Sequence, residues 1–263
     1  MKNQWFISIK KNDGDIFDIS GLKHNYPPKG FYWADPFLWQ HNGKDYVFYE
    51  YYDYKKGVIA FSEINDDMSF SEPTIVMSLK HHLSYPCFFE DKDGEEPGLY
   101  MTPESGQMGS LVLLQCERFP FHWTGYIKLI EEISAGDTNI FKKDGCYWMF
   151  TTCAPDLKNR LLIFKSDKLA SGWSLVLDHT ITNSRSAGRI FEHDGKLIRP
   201  VQNGVGGYGT GIIFKSITLD DAMYDEKIIH EIKPTWHPEI FGTHNFDFND
   251  KYIVIDGKRK IDD

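Results

Sequence analysis

Four carboxylates with matched spacing are the residues of this chain best suited to chemistry. Asp35 and Asp137 occupy one phase of an internal repeat, and Glu50 and Glu104 occupy a second phase a little further along it. Hydrolysis of a glycosidic bond needs one carboxylate as base or nucleophile and one carboxylic acid as proton donor, with a third group that tunes their pKa values. We therefore interpret these residues as candidates for glycosidic bond chemistry, if the fold brings them together.

The repeat itself is marked by four glycines. Gly43, Gly94, Gly145 and Gly195 are separated by 51, 51 and 50 residues. Each lies between an apolar pair and a run rich in aromatic and β-branched residues, which is the pattern of a β-hairpin closed by a glycine turn. A degenerate fifth copy has Asp250 at the turn. A period of about 50 residues with several short strands indicates propeller blades of four strands.

Five units of this size account for nearly all of the 263 residues. We therefore predict an all-β fold, a single five-bladed β-propeller over residues 1–263 with blades of about four antiparallel strands. The apolar segment 5–10 has the composition of a strand but no neighbouring partner in the sequence. We expect it to complete the fifth blade and to close the ring, which removes exposed sheet edges.

The innermost strand of each blade lines the central channel, so equivalent repeat positions form rings around the axis. The first ring consists of the equivalent positions Asp35, Tyr85, Asp137, Ala187 and Gly242. Its neighbours along the chain are Trp33, Ser84, Arg185, Ser186, Arg189, His244 and Asn245, which we expect to bind the substrate together with Glu50, Tyr85 and Gln202. The second ring, further along each repeat, consists of Glu50, Glu104, Thr152 and Gln202. Carboxylates, arginines and a histidine are therefore expected to meet at one end of the channel.

A structural explanation competes with the chemical one at each of the four carboxylates. Aspartate before proline or threonine commonly starts a turn, which accounts for Asp35 or Asp137 taken singly. The other blades differ at that phase, however, whereas a turn requirement would repeat in every blade. Glu104 suits a solvated rim as well as a site, and Glu50 suits an ion pair with an arginine as well as substrate binding.

The other candidates also have two interpretations. Arg185 and Arg189 either neutralise the aspartates or bind sugar hydroxyls or phosphate. His244 is either a hydrogen-bonded core histidine or a functional one, and Trp33 is either a core residue or a platform on which sugars stack. The glycine-rich segment 203–211 lacks the preceding parallel strand and following helix of a phosphate-binding loop.

The composition narrows the class of protein. The chain is 41% hydrophobic and 15% aromatic, as expected of a globular domain. Its formal net charge is −9 and its basic residues are scattered, so we expect neither nucleic acid nor an anionic membrane as a partner. The first twenty residues lack the apolar stretch of a signal peptide or membrane span, so we expect a cytoplasmic location. The four cysteines have no metal-type spacing, and no metal ligands are predicted.

Several segments also resemble a known family. ADPFL at 34–38, RSAGR at 185–189, RPVQN at 199–203 and THNF at 243–246 resemble the N-terminal domain of plant glucosamine inositolphosphorylceramide transferases and its bacterial relatives. RSAGR together with RPVQN is the most specific of these. That domain is similar to the five-bladed propellers of glycoside hydrolase families 43, 32 and 68. The resemblance extends from about Trp33 to Phe246.

The resemblance implies roles for individual residues. In the wider superfamily Asp35 corresponds to the base or nucleophile, and Asp137 to the residue that tunes and orients the acid. The acid itself is a glutamate that opens the fourth blade, where this chain has Ala187. Either the acid comes from elsewhere, with Glu104 first and His244 or Glu50 next, or hydrolysis has been lost.

Calcium is the one cofactor that the resemblance raises. Many of these hydrolases hold a calcium ion in the channel near a fifth-blade histidine, to which His244 corresponds. The sequence contains no readable calcium loop, so no cofactor is the primary expectation and calcium the alternative.

Two functions from different classes follow. The first is a carbohydrate-active enzyme that cleaves or transfers a glycosyl group, with Asp35, Asp137 and Glu104 catalytic and the arginines and Gln202 holding the substrate. The second is a non-catalytic propeller that binds a glycan or sugar nucleotide in the synthesis of cell-surface polysaccharide or glycolipid. The missing fourth-blade glutamate favours the second. A protein-interaction propeller, the third option, predicts a blocked channel and an exposed apolar rim.

Overall fold

Five antiparallel β-sheets surround a common axis in a computed structural model that describes residues 2–95, 97–220 and 223–262. Each sheet is one blade of a β-propeller. No helix among the described residues is long and apolar enough to span a membrane. The prediction of a five-bladed all-β propeller is therefore confirmed.

The strands follow the chain in blade order, except that the first two belong to the last blade. Near the N-terminus are β1 (Lys2–Lys11) and β2 (Lys23–Asn25). The first blade consists of β3 (Tyr32–His41), β4 (Lys44–Tyr52), β5 (Gly57–Glu63) and β6 (Thr74–Met77). The second blade consists of β7 (Ser84–Asp91), β8 (Gly98–Glu104), β9 (Ser110–Arg118) and β10 (His122–Glu131), with a 3₁₀ turn at Gly106–Met108.

The remaining blades repeat this order. The third blade consists of β11 (Ala135–Lys143), β12 (Cys146–Cys153), β13 (Arg160–Ser166) and β14 (Ser174–Thr180). The fourth blade consists of β15 (Phe191–His193), β16 (Lys196–Gln202), β17 (Ile212–Leu219) and β18 (Tyr224–Ile232). The C-terminal strands are β19 (Ile240–Gly242), β20 (Phe246–Phe248) and β21 (Tyr252–Ile261).

The N-terminal strand closes the ring, as predicted. β1 lies antiparallel to β21 over ten residue pairs, from Lys2 opposite Ile261 to Lys11 opposite Tyr252. β2, which the sequence pattern did not reveal, adds the outermost strand of this fifth blade. The two ends of the chain therefore share one sheet, and the backbone hydrogen bonds of β1 and β21 hold the first and last blades together.

Three of the four repeat glycines lie in tight hairpin turns. At positions 42–43, 144–145 and 194–195 both turn residues have positive φ, between 49° and 78°. This is the pattern of a type I′ turn, for which glycine in the second position is strongly preferred. The second blade differs, because Asp91 pairs with Gly98 across a longer loop and Gly94 does not have positive φ. The repeat therefore marks the hairpins correctly, although one turn has a different shape.

Each interface between neighbouring blades has its own apolar core. One such cluster, between the first and second blades, contains Phe37, Phe48, Phe61 and Met101. Another, between the fifth and first blades, contains Ile7, Ile9 and Trp33. Trp33 is 6% exposed, so it packs between blades and does not line the channel. The interpretation of Trp33 as a core residue is the one that the structure supports.

We expect the closing strand to contribute strongly to stability. The side chain of Ile9 is fully buried, so Ile9→Ala should lower the free energy of unfolding by about 2–5 kcal/mol through lost apolar contact and a cavity. Lys11→Ala, at an exposed position of the same strand, should change it by less than about 0.5 kcal/mol. Urea unfolding followed by circular dichroism measures both. Equal midpoints for the two variants would contradict this role of β1.

Candidate functional site

Irregularities in three inner strands bring the two rings together at one end of the channel. Asp35, Tyr85 and Asp137 have φ values of 53°, 48° and 47°, in the left-handed region that non-glycine residues rarely adopt. Each lies at a break in the pairing register of β3, β7 or β11. Such bulges re-aim side chains and are common beside active sites. The repeated bulge therefore directs the first-ring side chains at this end of the channel.

The second ring lies on the neighbouring strands at the same height. Glu50 is paired opposite Ala34, Glu104 opposite Ser84, and Thr152 opposite Gly136. Gln202 occupies the equivalent place in the fourth blade, where its backbone N–H donates to the carbonyl of Arg185. The predicted grouping of Asp35, Asp137, Glu50, Glu104 and Gln202 at one end of the channel agrees with these positions.

Arg185 links two of the carboxylates. Its Nε lies 2.5 Å from Asp137 Oδ2, and its terminal nitrogen lies 2.8 Å from Glu104 Oε2. The Gln202 amide donates to the same Asp137 oxygen at 2.9 Å. Burial raises the pKa of Asp137, and the charge of Arg185 opposes this rise. Glu104 and Arg185 retain 17% exposure of their side chains, which makes them the solvent-facing part of the site.

A buried cation pair holds the segment that carries Arg185. Lys215 Nζ donates to the carbonyls of residues 182 and 183, at 3.1 and 3.0 Å. Both terminal nitrogens of Arg199, a fully buried residue, donate to the carbonyl of Ser184. Three successive carbonyls before Arg185 are thus fixed by charge-assisted hydrogen bonds, and Glu226 balances the charge. This network positions Arg185 without touching the ring.

Asp35, like Glu50, is a ring carboxylate without an arginine partner among the described residues. Its Oδ2 accepts the backbone N–H of Tyr85 at 3.1 Å, and its Oδ1 lies 3.6 Å from His244 Nε2. Burial raises the pKa of Asp35 to about 8, against the opposing charge of His244. The neighbouring carboxylates of Asp137 and Glu50 add to the rise. Asp35 therefore keeps a proton near neutral pH. Burial raises the pKa of Asp137 to about 8 as well, but Asp137 has in Arg185 a partner that favours its charged form, which Asp35 lacks.

His244 lies between Asp35 and a second carboxylate, that of Asp256. His244 Nδ1 is 2.5 Å from Asp256 Oδ2, and the ring stacks on Trp5 with centroids 4.1 Å apart. Burial lowers the pKa of His244, but the carboxylate of Asp256 outweighs it and raises the value to about 9. His244 is thus held as an imidazolium, which supplies positive charge to the base of the ring.

The same three residues are the ones to test for calcium. Potential ligand atoms of Asp35, His244 and Asp256 lie within 4.8 Å of one another. Calcium takes six to eight oxygen ligands, whereas this group offers two carboxylates and an imidazolium. Asp256 also already accepts the backbone N–H groups of His244, Asn245 and Asp35. The described residues of this group therefore offer a calcium ion few free oxygen ligands.

Glu50 has partners that the repeat did not reveal. His82 Nε2 lies 3.1 Å from Glu50 Oε1, and the Tyr32 hydroxyl donates to the same oxygen at 3.4 Å. The hydrogen bond with Glu50 raises the pKa of His82. Asp256 and Tyr208 are further members of the site that were not predicted. The four lie outside the two counted phases of the repeat, so the alignment of blades contained no signal for them.

Tyr85 crosses the channel below the ring. Its hydroxyl donates to the carbonyl of Gly188 at 2.9 Å and accepts the N–H of Gly188 and the amide of Asn139. A Cβ at Gly188 would lie 2.0 Å from the Phe246 carbonyl oxygen, so only glycine fits there. Ala187, beside it, is fully buried among the apolar residues of the fourth and fifth blades. No catalytic glutamate fits at this fourth-blade position.

Several predicted substrate-binding residues have structural partners. Ser84 is buried opposite Glu104, Ser186 accepts the Gln202 amide through its carbonyl, and Asn245 donates to the Pro36 carbonyl. Arg189 contacts Asp247 at 2.8 and 2.5 Å and the Leu38 carbonyl, and it lines a cavity at the hairpin end of the channel. Arg189 therefore neutralises a buried aspartate on the other side of Tyr85.

A cavity of about 310 Å³ opens beside Arg185. Arg185, Gln202, Asn203 and Tyr208 line one side of it, and the loop 155–158 lines the other. A larger cavity of about 370 Å³ lies between the hairpin turns of the second and third blades. Its buried carboxylate, Asp91, is already bonded to Tyr147. The cavity beside Arg185 is the one that reaches the predicted residues.

Comparisons with known proteins match the family that the sequence resembles. The family model "Glucosamine inositolphosphorylceramide transferase 1, N-terminal" matches residues 19–235. The glucosamine inositolphosphorylceramide transferase 1 of Arabidopsis thaliana is 30% identical over 216 residues, which cover 77% of this chain and 27% of that protein. The chain thus spans about a quarter of the length of that relative.

Solved structures share the fold. An exo-β-1,3-galactanase from Clostridium thermocellum superposes with a TM-score of 0.60 at 15% identity, covering 78% of this chain and 52% of that one. An α-L-arabinofuranosidase from Podospora anserina superposes with a TM-score of 0.54 at 11% identity, covering 92% and 93%. At such identities the likeness shows the fold alone.

The hydrogen bonds of Tyr85 give a first prediction. Tyr85→Phe leaves the buried N–H of Gly188 unpaired, so it should lower the free energy of unfolding by about 1–3 kcal/mol. Tyr126→Phe, at a tyrosine 43% exposed in the second blade, should leave it nearly unchanged. Urea unfolding of both variants measures the difference. A stability of Tyr85→Phe equal to wild type would argue against a buried cross-channel bond.

The imidazolium of His244 gives a second prediction. Its folded pKa of about 9 lies above the ordinary 6.5, so its ion pair stabilises the fold fully below about pH 6.5. This contribution is lost as the pH rises through 9. His244→Gln should therefore cost on the order of 1–3 kcal/mol at pH 6, and the cost should shrink towards pH 10.

Chemical denaturation between pH 6 and pH 10 measures this difference. The exposed His179→Gln is the matched control and should show no such trend. A cost of His244→Gln that is constant across this range would show that His244 is not held as a cation.

Proposed function

The chain belongs to the family of glucosamine inositolphosphorylceramide transferase 1 N-terminal domains, and we propose that its acidic ring binds a saccharide and cleaves or transfers a glycosyl group. The observation that carries the proposal is the contrast between Asp35 and Glu104. Asp35 has a pKa raised to about 8, whereas Glu104 pairs with the guanidinium of Arg185 beside a cavity. One site can hold both an acid and a base when two of its carboxyl groups lie in contrasting environments.

Asp35 is the proton donor in this proposal. Its raised pKa keeps a proton available near neutral pH, and that proton passes to the oxygen of the departing group as the glycosidic bond breaks. The resemblance to the wider superfamily implies the opposite role, base or nucleophile. The absence of a glutamate at Ala187 is the reason for the exchange, because the proton must come from another residue of the ring.

Glu104 is the base, and Arg185 holds it. The guanidinium binds Glu104 and Asp137 together, which fixes the positions of both side chains. Glu104 is also the more exposed of the two, so it can accept a proton from water or from an acceptor hydroxyl. Asp137 and Gln202 orient Arg185 and complete the site.

An amino sugar suits the charge of the ring. The acidic side chains of Asp35, Glu50, Glu104, Asp137 and Asp256 outnumber the nearby basic ones. A sugar that carries an ammonium group would reduce the repulsion among them. The printed name of the relatives includes glucosamine, and we propose a sugar of this class for this chain.

The second candidate is a propeller that binds a glycan or sugar nucleotide without turning it over. The specific observation in its favour is the buried Ala187 in place of the acid. In addition, the chain covers 27% of the Arabidopsis relative, so a reaction carried out by that whole protein does not have to reside in this domain.

Turnover and binding by two variants separate the candidates. The probes are 4-nitrophenyl glycosides and nucleotide sugars of glucosamine, N-acetylglucosamine, galactose and arabinose. If the enzyme proposal is right, Asp35→Asn should lower kcat by about 10²–10⁴-fold while the dissociation constant changes less than tenfold. The exposed Glu192→Gln should change neither. Binding without turnover by wild type across the panel would favour the second candidate.

The pH dependence of kcat/KM separates the two roles of Asp35. A proton donor with a pKa of about 8 predicts activity that falls as the pH rises through 8. A base or nucleophile with the same pKa predicts activity that rises up to pH 8. Rates measured from pH 5 to pH 10 on the best substrate of the panel decide between them, and a rising limb near pH 8 would refute the donor role.

A further inference from the structure

Tyr208 stands over the ring on the loop that joins β16 to β17. Its aromatic ring meets His244 edge-on at 5.1 Å between centroids and Trp5 at 6.2 Å. The guanidinium carbon of Arg185 lies 5.7 Å from the centre of the same ring. One aromatic side chain thus contacts both cations of the acidic ring.

The remaining surface of Tyr208 is open. The residue is 45% exposed, although three of its neighbours are buried or nearly so. It also lines the cavity of about 310 Å³ beside Arg185. A large aromatic side chain that is anchored on one side and exposed on the other presents a rigid face on which a ligand ring can pack.

The polar groups around this cavity suit a hydroxyl-rich ring. Arg185, Gln202 and Asn203 line this cavity together with Tyr208 and the loop 155–158. A cavity of this size is at the lower end of those that bind small molecules. It suits one further ring and not an extended chain.

The phenol keeps its proton in this setting. Partial burial raises the pKa of Tyr208, with Arg185 opposing and the carboxylate of Asp35 adding to the rise. A protonated phenol can donate a hydrogen bond to a sugar oxygen, and the aromatic face packs against the C–H face of the sugar.

We propose that Tyr208 and the adjoining cavity form a second saccharide subsite, which binds the ring attached to the sugar held among the carboxylates. The inference rests on the proposed function and extends it, because it makes the ligand a glycoside of at least two rings.

Calorimetric titration tests the subsite with ligands of one and two rings. The probes are the methyl glycosides of glucosamine, N-acetylglucosamine, galactose and arabinose and the corresponding disaccharides. Wild type should bind the disaccharide of its preferred sugar at least about tenfold more tightly than the methyl glycoside. Tyr208→Ala should remove this advantage, so that the disaccharide and the methyl glycoside bind with similar affinity. Tyr208→Phe should retain most of it, because packing remains.

Val205→Ala is the matched control, since Val205 is 67% exposed on the same loop, and it should bind both probes as wild type does. Thermal melting checks that each variant folds. Equal affinities of wild type for the two probes, or a disaccharide affinity unchanged in Tyr208→Ala, would overturn the subsite and leave the acidic ring intact. Failure of wild type to bind any probe would overturn the proposed function and the subsite together.

Discussion

Compensation of buried negative charge is the constraint on which this structure depends. Carboxylates brought together on the axis of a propeller lose water and repel one another, so each needs a fixed partner. Arg185 serves Asp137 and Glu104, and His244 serves Asp256. These partners depend in turn on distant parts of the chain: Arg199 and Lys215 fix the backbone before Arg185, and Trp5 of the closing strand stacks on His244. The geometry of the site therefore depends on the closure of the propeller ring by β1.

The fold could be predicted because every blade of a propeller has the same strand arrangement and therefore a similar sequence pattern. A period of about 50 residues with glycine at hairpin turns locates the inner two strands of each blade, and the turns at Gly43, Gly145 and Gly195 have the expected backbone. The repeat gave no sign of β2 or of the longer second hairpin loop. Both depend on tertiary contacts and not on the local sequence pattern. β2, for example, has only three residues and pairs with β1.

The site could be predicted in part, for the same reason. Residues at equivalent positions of the repeat lie at one height on the propeller axis. Aligning the blades could therefore identify Asp35, Asp137, Glu50 and Glu104. Residues that enter the site from connecting loops were not, and Tyr208 and His82 are of this kind. The alignment also placed Arg189 at the wrong end of the channel. Its side chain binds Asp247 and lines the cavity at the hairpin end, on the other side of Tyr85. Alignment gives height on the axis and not the direction of a side chain.

Ala187 stands where the family resemblance led us to expect a glutamate, and the backbone of residues 187 and 188 explains why. The backbone of Gly188 both gives and receives a hydrogen bond with the Tyr85 hydroxyl, and the carbonyl of Ala187 accepts the N–H of Phe246 from the next blade. A backbone used in this way approaches its neighbours too closely to carry a long acidic side chain. Ala187 itself is buried among apolar residues of the fourth and fifth blades, where an acidic side chain has no polar partner. A proton for glycosidic chemistry therefore has to come from a carboxyl group kept neutral by burial, and among the ring carboxylates without an arginine partner Asp35 has the raised pKa that this requires.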